Sequence, residues 1–467
     1  MDLERLVTAL GPLEVRGGAP TDVTDLAYDT RSVVPGALFF CVPGERADGH
    51  DFAAEAVDRG AAALVVERPL DVRVPQLVVP SARGAMGVAA DEFFERPTEE
   101  LLLAGVTGTN GKTTTAYLLH SIFEAAGMRP GLIGTIESRV GGESRSAVRT
   151  TPEAIDLQRM FRAMLDAGDR SCVMEATSHG SELGRLDRVR FKALAFTNLT
   201  QDHLDFHGSM ERYFDAKRRL FSDAEPPPAA AINVGDPWGR QLADELRRTG
   251  RAPVLTYGLT DDADIREHSF TTRLRGRFNK ENILAAVAVS QLLGVPEPAV
   301  REGIESLPGV PGRFEALDEG QPFPVLVDYA HTPDSLENVL RAAREFTTGR
   351  LICVFGCGGD RDRGKRPQMG RVASELADVA IVTSDNPRSE RPLAIIAEIL
   401  DGVVRDVEVE EDRRAAIGKA IAMAGPHDVV VIAGKGHEQG QEFADRKIPF
   451  DDREVAREAL REVQAPA

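Results

Sequence analysis

Residues 101–127 read LLLAGVTGTNGKTTTAYLLHSIFEAAG. An apolar run of strand length passes through a glycine-bearing turn into an amphipathic helical pattern. The turn is Thr107-Gly108-Thr109-Asn110-Gly111-Lys112-Thr113-Thr114. Its glycines let the backbone fold back so that successive N–H groups, from Thr109 and Asn110 through Thr114, point at phosphate oxygens. The helix that follows adds roughly half a positive charge at its N-terminus. Lys112 is expected to reach the β- and γ-phosphates of ATP, and the Thr113 hydroxyl to ligate magnesium. In the general phosphate-loop pattern a glycine stands five positions before Gly111; Val106 holds that place here and the glycine has moved to Gly108. Nucleotide binding follows from this stretch. The use made of the terminal phosphate does not.

Strand-like runs continue on both sides. ALFFCVPG, AAALVVE and QLVVP precede the turn, with helical patterns such as FAAEAVDRGA between them; CVMEAT, ALAFTNL, AAAINV and PVLTYG follow it. Strands alternating with helices predict a parallel sheet covered on both faces. SLPGVPGRFE, with two prolines and two glycines, predicts a hinge. Past it come PVLVDYA, a helix from Ser335, then RLICVFGCGG, DVAIVTS and HDVVVIAG. Each of these strands runs into a polar loop, where ligands of open α/β sheets bind. The expected fold class is α/β in three domains. A central P-loop ATPase-type parallel-sheet domain (99–312) is flanked by a small N-terminal α/β domain (1–98) and a C-terminal Rossmann-like domain (313–467).

A chain of 467 residues exceeds one ordinary core, in keeping with that division. The net charge of −18 offers no field to recruit nucleic acid or an anionic membrane, so an anionic substrate must be held by local cations and helix ends. Cys41, Cys172, Cys353 and Cys357 are too scattered for a disulfide framework and too isolated for a zinc site; buried free thiols are expected. No run approaches the ~20 apolar residues that span a bilayer. The opening MDLERLVTALG has no basic segment leading into an apolar one, so a cytoplasmic protein is expected.

Two further strand ends carry groups that suit a metal. CVMEATSHG places Glu175 just past a strand and TNLTQDHLDFHG places His203 after another. Near a phosphate loop they are candidates for a second magnesium, although hard cations prefer oxygen to imidazole. Taken singly, His203, Asp205 and His207 read equally well as surface-loop residues. Lys217, in YFDAKRRLF, reads on its own as a solvated helical lysine.

The strings TGTNGKTT, MEATSHG, TNLTQDHLDFHG, YFDAKRRLF, VDYAHTPDSL, GCGGDRDRGKRP, DNPR and GKGHE occur in the order found in the Mur ligases, over nearly the whole chain. The chain resembles the members that add a diamino acid to a nucleotide-linked cell-wall peptide. That resemblance implies an ATP-dependent amide ligase acting on small-molecule substrates, with magnesium as cofactor and a single chain as the working unit. It implies that Lys217 is carbamylated and joins Glu175 and His203 around the second magnesium. It places Asn279 at the ATP base and brings Arg313 and Asp328 to the nucleotide from the third domain, making the reaction depend on closure across the hinge. For His331 it leaves structural and catalytic roles open. Tyr28, Thr30, Glu45, Arg46 and Ala47 would hold the UDP end, and Thr150, Thr151, Thr177 and Arg185 the muramoyl-peptide part. The charged Lys280 and Glu281 in GRFNKEN and the short segment between Asp264 and Gly276 depart from the family and put the nearby sheet edge in question.

The resemblance also bears on the amino acid added. After DVAIVTS comes Asp385-Asn386-Pro387-Arg388, where Pro387 stiffens the loop and so fixes where Arg388 points. A guanidinium pairs with a carboxylate in a plane. meso-Diaminopimelate carries a second amino-acid head with its own carboxylate, whereas lysine does not. The family reads DNPR for diaminopimelate, with Arg361, Gly434 and Glu438 at the distal head. A catalytically silent relative would be expected to lack Lys217, His203 or the DNPR loop, and a folylpolyglutamate-type ligase leaves DNPR and GKGHE unexplained.

Overall fold

A computed structural model describes residues 1–17, 22–44 and 47–464. Three mostly parallel sheets follow one another along the chain. The second opens on Leu102–Thr107, whose last five residues are all buried, as expected of a parallel strand covered on both faces. Its eight strands run in the order Val254–Tyr257, Ala229–Asn233, Ala193–Phe196, Leu102–Thr107, Ser171–Glu175, Pro130–Ile133, Glu137–Val140 and Glu143–Ser146. The first six are parallel, and the last two form an antiparallel extension at the edge.

Strand alternation sorts the two faces of this sheet by size. Ala104, Val106, Ala193, Ala195 and Ala231 point to one side, where the helices Lys112–Ala125 and Arg277–Leu292 pack. Leu103, Met174, Leu194, Phe196 and Ile232 point to the other. Small side chains on the first face let both helices sit close to the strands, which holds the turn before Lys112 at the strand ends.

The first sheet has five strands, ordered Glu14–Arg16, Gln76–Val78, Ala63–Val66, Ala37–Phe40 and Asp25–Ala27, with only the outermost Glu14–Arg16 antiparallel. Its core is completed by Ala154 and Ile155 from the helix Ala154–Asp166 of the next segment. The Arg159 guanidinium of that helix donates to Asp25 Oδ1 and Leu26 O at 2.8 and 2.9 Å. The third sheet has six strands, Glu315–Leu317, Val325–Asp328, Val429–Ala433, Leu351–Phe355, Val379–Val382 and Glu408–Val409, again with one antiparallel edge.

The expected α/β architecture is therefore present, with details that patterning did not give. The helix expected from Ser335 starts at Pro333 on a capping box between Thr332 and Ser335. The edge questioned by Lys280 and Glu281 is intact: those residues lie in the helix Arg277–Leu292, and the strand Val254–Tyr257 pairs normally with its neighbour. The segment between Asp264 and Gly276 forms no strand of its own; a single bridge joins Ile265 to Tyr257. All four cysteines are free and buried, as anticipated. Among the described residues no helix is long and apolar enough to cross a membrane.

The helix Glu297–Ser306 crosses Lys112–Ala125 at Gly303. A Cβ there would lie 2.4 Å from Ile122 Cα and 2.6 Å from its nitrogen, both backbone atoms that cannot swing aside. Gly303→Val is expected to lower unfolding stability by about 1–3 kcal/mol through overpacking. A urea titration checks it, and an unchanged midpoint would show that the crossing has slack.

Candidate active site

The turn expected to cradle phosphate bends back at its two glycines, but the Thr109 and Asn110 N–H groups, expected to face phosphate, are taken by Asn198. Gly108 and Gly111 have φ of 147° and 87°, and a Cβ on Gly108 would lie 1.9 Å from Thr197 Oγ1. Asn198 braces the loop from the next strand end: its carbonyl accepts the Thr109 N–H and its side-chain oxygen the Asn110 N–H, both at 2.9 Å. Lys112 folds back so that Nζ donates to Gly108 O and Thr109 O at 2.9 and 2.7 Å. Burial pushes its pKa down, with Glu175 opposing.

Lys217 reaches the same loop. Its ammonium donates to Gly108 O at 2.8 Å and lies 4.7 Å from the centre of the Tyr213 ring. Only 1% of the residue is exposed, so the solvated reading of this lysine is corrected: the helix Met210–Ser222 turns this face into the core. Burial, with Lys112 next to it, lowers its pKa well below the usual lysine range.

Thr113 and Glu175 meet directly, Thr113 Oγ1 donating to Glu175 Oε2 at 3.2 Å. Thr135 donates to the same carboxylate from its N–H at 2.8 Å and its hydroxyl at 2.9 Å. Thr150 donates to the Thr135 hydroxyl, while Thr151 bridges the Glu175 carbonyl to Thr177. His203, at a left-handed φ of 54°, turns Nε2 toward Asp202 at 3.3 Å, and burial depresses its pKa to about 3. Asp205 is exposed and His207 buried against Ser178, so neither faces the loop. Among the described residues no cluster of three or more His, Cys, Asp or Glu forms a ready-made metal cage. What the site offers a hard cation is the adjacent pair of oxygens on Thr113 and Glu175.

The third segment closes over this loop. Arg313 Nη2 donates to Thr113 Oγ1 at 3.0 Å while the guanidinium lies 4.4 Å from the centre of the Tyr329 ring. Asp328 accepts the Phe314 N–H at 2.6 Å, and burial pushes its carboxyl up to about 6. Asn110 donates across the cleft to Asp334 at 2.8 Å. His331 places Nε2 3.6 Å from Asp202, which also has Lys365 at 3.8 Å. The two walls enclose a cavity of about 290 Å³. Asn279 lies behind its wall with Nδ2 on Arg275 O; Asn282, which lines the cavity, donates to Asn279 Oδ1 at 3.0 Å. Asp202 and Asn282 were missed at the sequence level, although both lie within strings that drew notice.

Toward the first segment, Tyr28 donates to Asp156 at 2.6 Å and Thr30 opens a short turn capped by Asp29. Ala47 accepts the Gly44 N–H at 2.9 Å, whereas Glu45 and Arg46 lie outside the described residues. Arg185 pairs with Glu153 at 3.0 Å, and so do Arg149 at 2.7 Å and Arg83 at 3.1 Å. Three arginines against one carboxylate leave positive charge where the first two segments meet. Arg83 and Arg149 carry no motif that would have marked them.

The DNPR loop lies outside the lining of the cleft cavity, which Tyr329 helps to form. Asn386 donates to Glu438 at 2.7 Å and accepts from Lys435 at 2.8 Å. Arg388, at φ 52°, donates to Gly359 O at 2.7 Å and to Glu442 at 3.1 Å. Pro387 precedes it in the same loop, and its carbonyl would lie 1.9 Å from a Cβ on Gly359. Gly434, at φ 122°, leaves room for Asp385, and Arg361 donates to Asp360 O on the exposed side.

Comparison with known proteins agrees with this arrangement. The models for the Mur ligase family catalytic domain, the Mur ligase middle domain and the Mur ligase glutamate ligase domain match residues 22–106, 106–290 and 312–436. A UDP-N-acetylmuramoyl-L-alanyl-D-glutamate–2,6-diaminopimelate ligase of Solibacter usitatus is 48% identical, covering 95% of this chain and 94% of its own. One of Geobacillus thermodenitrificans is 45% identical over 99% of this chain and 100% of its own. A solved structure of a ligase of that name superposes with a TM-score of 0.65 at 31% identity, covering 95% and 96% of the two chains. With a phosphate loop closed over by its third segment and matches to three consecutive family models, the chain belongs to the Mur ligase family.

Proposed function

We propose that this protein is the ATP-dependent ligase that joins meso-diaminopimelate to the D-glutamate of UDP-N-acetylmuramoyl-L-alanyl-D-glutamate, in cytoplasmic synthesis of peptidoglycan precursors. The observation that carries the chemistry is the meeting of Lys112 and Thr113 with Arg313 and Asp328 in one cleft, with Glu175 at its side. The γ-carboxylate of D-glutamate attacks the γ-phosphate of ATP and ADP leaves, giving an acyl phosphate. The neutral amine of the diamino acid then attacks the carbonyl, losing a proton, and phosphate leaves as the amide forms. Lys112 and Arg313 neutralise charge on the transferring group. Gly111 and Thr114 offer the phosphates their N–H groups, Gly108 gives the loop its turn, Thr109 and Asn110 hold its shape through Asn198, and Asn282, braced by Asn279, meets the base.

Magnesium fits the hydroxyl and carboxylate oxygens of Thr113 and Glu175, with His203 and a carbamate on Lys217 as further ligands; when bound it supplies charge neutralisation at the phosphates. The Lys217 amine suits carbamylation because burial lowers its pKa, which favours the neutral, nucleophilic form that reacts with carbon dioxide. Tyr28, Thr30, Glu45, Arg46 and Ala47 take the UDP end, and Thr150, Thr151, Thr177 and Arg185 the muramoyl peptide. Asp385, Asn386, Pro387, Arg388, Arg361, Gly434 and Glu438 form the diaminopimelate site. The bounds 1–98, 99–312 and 313–467 are supported by each sheet falling within one segment. The working unit in this reading is a single chain.

Phosphate release with ATP, magnesium and the UDP-linked dipeptide is expected with meso-diaminopimelate and not with L-lysine; equal rates would remove the role given to Arg388. Arg388→Ala is expected to raise KM for diaminopimelate about 10- to 100-fold, the worth of a charged hydrogen bond. Stripping bicarbonate from the assay should slow the wild type and its return should restore the rate. Lys217→Ala should lose about 10²–10³ in kcat and show no bicarbonate response. A wild type indifferent to bicarbonate would leave Lys217 an unmodified amine.

A further inference from the structure

Behind the DNPR loop lies a buried ion pair that the reaction above does not use. Arg413 begins the helix Arg413–Met423 and is 1% exposed; Asp452 begins Asp452–Gln464 and is fully buried. Two parallel hydrogen bonds join them, Nε to Oδ1 at 2.8 Å and Nη2 to Oδ2 at 2.7 Å, and Nη2 also donates to Ala433 O at 2.9 Å. The third nitrogen, Nη1, has no hydrogen-bond partner. It faces Asp385 Oδ2, also without one, across 3.9 Å. The rest of Asp385 is pinned: Oδ1 accepts the Asn386 N–H at 2.7 Å and its carbonyl accepts from Gln441 at 2.8 Å.

Two arguments separate this from a pair kept for stability. Desolvation cancels much of the attraction in a buried ion pair, so an apolar pair of like volume would serve the fold as well. Buried polar atoms in a fold are nearly always paired, yet here two lie unpaired and face one another. Asp385 thus sits among charges of both signs, with Lys435 and Arg388 of the same loop region paired to Glu438 and Glu442, and Arg413 is the cation that faces its second oxygen.

We propose that Arg413, clamped by Asp452, is a positioning residue for the incoming diamino acid: its guanidinium, 3.9 Å from the buried Asp385 carboxylate, holds that residue, and with it Asn386 and Arg388 of the same loop, in place to receive the substrate. The proposal rests on the reading of the DNPR loop as the amino-acid site. It gives the C-terminal helix a part in selecting substrate, because Asp452 is that helix's first residue.

The test uses the full-length enzyme with Arg413→Lys, Arg413→Met and Asp452→Asn, measuring KM separately for meso-diaminopimelate, ATP and the UDP-linked dipeptide, with thermal unfolding in parallel. KM for the diamino acid is expected to rise about 10- to 100-fold in Arg413→Met and Asp452→Asn, and less in Arg413→Lys, which keeps the charge. KM for ATP should stay within about twofold, because neither residue of the pair lines the cleft. Asp452→Asn preserves shape, so it decides the matter if an arginine variant does not fold. An unchanged KM for the diamino acid, or parallel rises in all three constants, would overturn the positioning role and leave the ligase reading standing. A wild type that releases no phosphate with diaminopimelate would overturn both.

Discussion

Two lysine ammonium groups converge on a single peptide carbonyl: Gly108 O accepts from Lys112 at 2.9 Å and from Lys217 at 2.8 Å. Two cations so close and so deep can both stay charged only where anions lie against them. Much of the central segment answers that constraint. Glu175 and Asp202 lie at neighbouring strand ends, and both hold Lys112 toward its charged form. The amine with less help, Lys217, is the one driven furthest toward neutrality. One loop thus holds two lysines of different electrostatic surroundings.

The remaining architecture delivers groups to that loop from three directions. The sheet places Glu175 and Asn198 on the strands either side of Leu102–Thr107. The third segment lowers Arg313 onto Thr113. The first segment is tied on by Arg159 and Tyr28, both bonded into or from the helix Ala154–Asp166 that follows Thr150 and Thr151. Groups of the first segment and of the third are thus both anchored to surfaces ordered by the second.

What could be read from sequence was whatever is contiguous. The phosphate loop declared itself because its glycines, lysine and threonine are consecutive and because the strand before it is apolar throughout. Lys217 did not: its burial is produced by contact with a carbonyl 109 residues away, and its helix has the charged, amphipathic composition of an exposed one. Only the resemblance to a family gave it a role in advance. Asn282 was hidden by its neighbour Asn279, since choosing between two asparagines one turn apart needs the direction in which the helix faces the cavity. Arg413 is harder still. It stands among Asp412, Arg414 and other charged residues, and its partner is 39 positions on.

The bonds that hold the cleft shut have a consequence of their own. Arg313 on Thr113 and Asn110 on Asp334 tie side chains of the phosphate loop to the third segment. Nucleotide entry is then a trade of partners, in which each new contact replaces one the protein already has. Measured affinity reports the difference between the two sets. The strength of the protein's grip on itself becomes a dial for its hunger for substrate.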